Sequence, residues 1–184
     1  TIPTNFLSPY QSKSVSEFWR RWHISLSSWL RDYLYISMGG NRKGKFRTNI
    51  NLFLTMLIGG FWHGASWNFI IWGALHGTGL MINKMWTFLF GKVKLLPSGL
   101  SNFFYAVITF HFVCFCWIFF KASNLDTALQ FIHQIMYQFT FDGAYEYVEN
   151  YKYVISMIGI GFAIHLIPDS ISEKFIERQK QRIE

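Results

Sequence analysis

Two of the six histidines in these 184 residues stand where an imidazole is hardest to accommodate. His63 and His76 lie in GGFWHGASWNFIIWGALHG, residues 59 to 77, among glycines and tryptophans. The stretch around them, from Asn49 to Asn83, contains no Asp, Glu, Lys or Arg. A buried imidazole needs a hydrogen-bond partner, and an ionisable group inside a membrane usually faces a cavity or another polar side chain. Neutral imidazole can take a proton from a hydroxyl while a second polar group orients its other nitrogen. That chemistry suits acyl transfer to an alcohol, the hydroxyl attacking a thioester or ester carbonyl. The chain has no Gly-x-Ser-x-Gly element, so direct transfer is expected in place of a covalent intermediate.

Several polar groups are candidates to assist His63: Asp32, Asn51, Asn68, His111 and His165 all lie in or near apolar stretches. His76 follows His63 by thirteen residues, which is not the spacing of two metal ligands on one helix turn, and is read as lining a pocket or pairing helices. His23, beside Arg20 and Ser27, is read as structural or interfacial, His133 as a loop residue and His165 as a span end. Gly60 and Gly64, and again Gly73 and Gly77, are four apart and offer smooth helix surfaces for close packing. Cys114 and Cys116 are the only cysteines and sit two apart in an apolar run, so neither a disulfide framework nor a zinc site is expected.

The elements that must position these groups follow from periodicity. Residues 14 to 36 repeat apolar side chains at helical spacing, with Ser14 and Glu17 in capping-box register. Arg20, Arg21 and Arg31 on that helix suit the membrane interface. A basic, glycine-rich loop follows, with four cations between Arg42 and Arg47. The charge-free stretch of residues 49–83 is too long for one span of about 20 residues and short for two. It predicts a hairpin or broken pair of helices bending near residues 59–64 and holding His63 at depth. Residues 101–121 and 151–168 read as further spans, and 169–184 as a basic tail. The expected fold is therefore all-α: a polytopic membrane protein with an interfacial helix and a broken helix pair. Thr1 is not an initiator methionine, and the chain reads as the later part of a longer protein.

Composition agrees with this reading and excludes another. Half the residues are hydrophobic, a fifth are aromatic and only 15% are charged, against about 25% in soluble domains. The net charge of +7 could suggest nucleic acid. Its distribution argues otherwise: residues 1–48 carry eight basic and two acidic side chains, residues 121–152 two basic and four acidic. That alternation is a positive-inside pattern, and the aromatics lie away from the cations, where base stacking could not use them. A transporter or scaffold with structural histidines is the alternative from another functional class.

The blocks EFWRRWHISLSSWLRDYLYISMGGNR (17–42), GGFWHGASWNFIIWGALHG (59–77) and CWIFFKASNLDTA (116–128) resemble consecutive blocks of the membrane-bound O-acyltransferase family. The resemblance covers roughly residues 1–128. It is closest to the bacterial polysaccharide acetyltransferases of the alginate type, with the D-alanine transferases of teichoic acid assembly as the neighbouring branch. It implies that His63 is the catalytic histidine and that Asp32 fills a second polar position upstream. His111 resembles a histidine of the D-alanine transferase branch, whereas the GGNR and WIFFKA blocks resemble the polysaccharide branch. It further implies a bacterial cytoplasmic membrane protein with no tightly bound cofactor. An acyl thioester would be co-substrate, an exported polysaccharide the acceptor, and a periplasmic or extracellular acetyltransferase the partner.

Overall fold

A computed structural model describes residues 3–90 and 97–167, which are helical with no strand among them. They divide into two compact units, residues 1–138 and 139–184.

The first unit opens with a 3-10 turn, Pro9–Gln11, then α1 (Val15–Arg21) and α2 (Ile24–Trp29). Ser14 caps α1 by accepting the Glu17 N–H at 3.1 Å, and Glu17 reaches back to the Lys13 N–H at 3.0 Å, close to the expected capping box. The single helix expected over 14–36 is broken at Trp22–His23. His23 adopts a left-handed conformation, φ 44°, that non-glycine residues rarely take. The cause is tertiary: Asn5 accepts the Ile24 N–H at its carbonyl (2.9 Å) and the Ser25 N–H at its side chain (3.0 Å), pinning the reversal. Residues Leu30–Tyr35 continue as a π-helical turn, with Ile36 N–H donating to the Arg31 carbonyl five residues back.

The expected broken pair is α3 (Gly44–His63) and α4 (Trp67–Phe90), joined at Gly64–Ser66. Gly73 lets the two backbones meet. A Cβ there would stand 2.5 Å from the Met56 carbonyl oxygen, and one on Gly77 3.0 Å from Phe53 Cα. Gly60 faces Gly73 in the same seam. Gly64 instead lies in the break, against the Phe69 ring.

α5 (Ser98–Lys121) is the one helix among the described residues both long and apolar enough to cross a membrane. Its inner face supplies Val113, Cys116 and Phe119 to a core shared with Phe18, Trp19, Met56 and Trp72, while Phe103, Ile108 and Phe115 are exposed. Asn124 caps α6 (Leu125–Tyr137) by accepting the Thr127 N–H at 2.8 Å.

The second unit holds α7 (Ala144–Asn150) and α8 (Lys152–His165). Fourteen residues of α-helix rise about 21 Å, less than the roughly 30 Å of a hydrocarbon core. α8 is thus apolar but shorter than the span expected over 151–168. The tail from 169 lies outside the described residues.

Candidate active site

His63 is the last residue of α3, half-buried at the break before α4. Four aromatic rings surround it: Trp62 at 5.0 Å between centroids, Phe120 at 5.1 Å, Trp72 at 5.3 Å and Phe69 at 6.0 Å. The arrangement follows from the chain. Phe69 and Trp72 stand on the first two turns of α4, which doubles back beside α3. Asn68 donates to the Ala122 carbonyl at 2.9 Å, tying the start of α4 to the end of α5 and setting Phe120 against His63. A small cavity opens beside the imidazole, walled by Trp19, Leu30, Met56, Gly59 and Trp72. Gly59 leaves space there that Leu30 Cδ1 approaches, 3.3 Å from where a Cβ would be. No side chain hydrogen-bonds His63 among the described residues.

The other expected site residues are not gathered around it. Asp32 sits on the π-helical turn, exposed, and both of its oxygens are taken by Arg31, whose Nε donates at 2.7 Å and whose second nitrogen donates at 3.1 Å. That guanidinium holds the Asp32 carboxyl below the usual carboxylate range. His111 is on the exposed side of α5, its Nδ1–H donating to the Val107 carbonyl at 2.8 Å. It stands nine residues, about 13 Å of helix, from Phe120. His76 is a core residue, 1% exposed, accepting the Trp19 indole N–H on Nδ1 at 3.2 Å and packed between Trp72 and Phe112. This matches the helix-pairing reading.

His23, read from the sequence as structural or interfacial, holds the left-handed position between α1 and α2. Its Nδ1 accepts from the Asn5 amide at 3.4 Å, and Ser25 lies beside it.

Residues 1–129 match the model of the membrane-bound O-acyltransferase family. The chain belongs to that family. Over 124 residues, 67% of the chain, it is 54% identical to a probable alginate O-acetylase of Azotobacter vinelandii, of which it covers 24%. Over 130 residues, 70% of the chain, it is 47% identical to a peptidoglycan O-acetyltransferase of Helicobacter pylori, again covering 24%. It is 39% identical over 129 residues to a teichoic acid D-alanyltransferase of Bacillus subtilis, 66% of this chain and 33% of that one. The chain thus spans about a quarter of the length of the acetyltransferase relatives it matches. All the blocks quoted above fall within the matched region.

A second feature of this family member lies toward the opposite ends of α3 and α4. Lys13, Arg20, Lys84, Tyr35, Asn41 and Trp86 help to line a cavity of about 1230 Å3, and no acidic side chain among the described residues lines it. Asn41 accepts from Tyr35 at 2.5 Å and from Lys84 at 3.4 Å. The inner wall includes Leu52, eleven residues before His63 on α3, which is about 16 Å along the helix. Among the described residues no three His, Cys, Asp or Glu side chains gather to hold a metal ion.

Proposed function

We propose that the chain is the catalytic part of a multi-pass O-acyltransferase of the bacterial cytoplasmic membrane, moving an acyl group, acetyl by preference, from a thioester to hydroxyls of an exported polysaccharide. The observation that carries this reading is the placement of His63: an imidazole of the WHG block at a helix break, beside a cavity and with no hydrogen-bonded side chain among the described residues. In this role His63 takes the acceptor's proton as its oxygen attacks the thioester carbonyl.

The basic cavity supports a donor bearing phosphate, since three cations and no carboxylate among its described lining residues attract an anion. A carrier with its phosphates there and its thioester on an arm of about 16 Å reaches the level of His63. The GGNR and WIFFKA blocks and the identities to the acetyltransferases favour a polysaccharide acceptor over teichoic acid. The His111 position and the D-alanyltransferase relatives keep D-alanyl transfer as the second reading. A periplasmic or extracellular acetyltransferase partner would complete delivery.

The test is His63→Ala in membranes carrying the protein and its partners, supplied with labelled acyl thioester. Transfer to polymer is expected to vanish while insertion and expression persist. Label that still reaches the acceptor would refute the mechanism, and solute flux without transfer would point to a transporter.

A further inference from the structure

The small cavity beside His63 lies between two helical faces. Met56, Gly59 and His63 are three and four residues apart and share one face of α3, whereas Leu26 and Leu30, four apart, come from α2 and the π-helical turn. Gly59 leaves the space into which Leu30 reaches: a Cβ there would stand 3.3 Å from Leu30 Cδ1 and 3.6 Å from Cδ2. Leu30 and Met56 are both buried, so these walls are packed from behind. What remains open measures about 10 Å3, room for a single group of roughly the size of a water molecule. Apart from the imidazole, the wall consists of aliphatic and thioether side chains, a glycine and two indoles. No charged side chain among the described residues lines it. A site with so few polar partners holds water poorly and suits an apolar group, to which the flexible Met56 side chain can adjust.

We propose that this cavity receives the methyl of an acetyl group, and that Leu30 and Gly59 set the limit on acyl length. The proposal rests on the acyltransferase reading of His63 and names the acyl group which that reaction selects. A methyl seated here brings the acyl carbonyl beside the imidazole that lines the same cavity. The acceptor oxygen then bonds to the carbonyl carbon as its proton passes to His63. The C–S bond breaks, and the departing sulfur takes that proton from the imidazolium. A longer chain meets the δ carbons of Leu30. A D-alanyl group would bring an ammonium to a wall that offers it no carboxylate, and an unpaired buried charge costs far more than a buried methyl. Apolar walls of this kind discriminate by about tenfold or more per methylene.

The test compares acetyl, butyryl, isobutyryl and D-alanyl thioesters of one carrier, in membranes holding the protein and its natural partners. The unaltered protein should favour acetyl over butyryl by at least about tenfold in kcat/KM. Leu30→Ala removes Cγ and both Cδ carbons. It should lower acetyl transfer and raise the butyryl-to-acetyl ratio by about tenfold or more. Leu30→Val, a milder change, should shift the ratio in the same direction and serves if the alanine variant does not fold. Gly59→Ala sets a methyl against Leu30 and should reduce acetyl transfer with no gain for butyryl. In the Leu30 variants isobutyryl, which has the shape of D-alanyl without its charge, should be transferred in preference to D-alanyl. Damage to folding alone would lower every donor in proportion and leave these ratios unmoved. Unmoved ratios in both Leu30 variants therefore overturn the proposal. So does an unaltered protein that takes butyryl as readily as acetyl, or D-alanyl transferred as readily as isobutyryl. His63→Ala measured alongside separates the two readings. If His63→Ala is inactive and the ratios do not move, only the acyl-pocket assignment fails; if His63→Ala is active, the base assignment fails as well.

Discussion

The indole N–H of Trp19 donates to Nδ1 of His76 across 57 residues of sequence, at 3.2 Å, and joins α1 to α4 within the aromatic core. This bond separates the two histidines of residues 59–77. His76 is an acceptor with its place filled, whereas His63 has ring contacts and no hydrogen-bonded side chain among the described residues. Trp19→Phe would leave the buried His76 nitrogen unpaired, at a cost of about 1–3 kcal/mol. The check is thermal unfolding in detergent. A lowered midpoint is expected. An unaltered midpoint would mean that the bond contributes nothing.

The glycine seam makes a second prediction. Gly73→Ala places a methyl 2.5 Å from the Met56 carbonyl oxygen, so the helices must separate. Overpacking of this kind typically costs about 1–3 kcal/mol, and here it also widens the cavity beside His63. Gly159 has nothing within 4 Å of its would-be Cβ and serves as the comparison. Gly73→Ala should lower both stability and transfer, and Gly159→Ala neither.

The pairing of α3 and α4 was legible because 35 residues without charge are too many for one span and few for two, with a bend expected near residues 59–64 and found at Gly64–Ser66. Three features were not legible, each for a tertiary reason. The periodicity of residues 14–36 runs unbroken through Trp22–His23, and only Asn5, eighteen residues earlier, reverses the backbone there. Asp32 is intercepted by its sequence neighbour Arg31, and His111 by the carbonyl one turn behind it. Both were assigned through the family resemblance and their place near apolar stretches, and neither reports which polar groups are already satisfied.

That interception predicts how Asp32 behaves. Its carboxylate acts through Arg31, so Asp32→Asn and Arg31→Gln should have similar effects on transfer, and the double variant little more than either. The sign of the pH dependence follows from the depressed carboxyl value. The pair's contribution is complete above the ordinary carboxylate range and is lost only as pH falls through the lower folded value. Transfer near neutral pH should therefore show no limb due to Asp32. A double variant whose loss is the product of the two single losses would contradict the pairing.

The basic cavity can be tested through the donor. Arg20→Gln and Lys84→Gln remove cations from a site with no carboxylate among its described lining residues. Each should raise KM for the thioester about threefold to tenfold and leave kcat nearly intact, with the effect fading at high salt. Equal effects on a donor stripped of phosphate would rule the cavity out as the phosphate site.

His23 offers the most direct contest between structural and functional roles. A non-glycine residue at φ 44° is strained by roughly 1–2 kcal/mol, and such strain persists where the surroundings hold it, often near functional sites. His23→Gly suits the backbone while deleting the imidazole. If His23 only shapes the reversal, the variant should be at least as stable and fully active. The strained backbone, held by two hydrogen bonds to Asn5, argues for the other result. Stability is expected to be kept or raised while transfer falls at least tenfold, measured in the same membranes as His63→Ala.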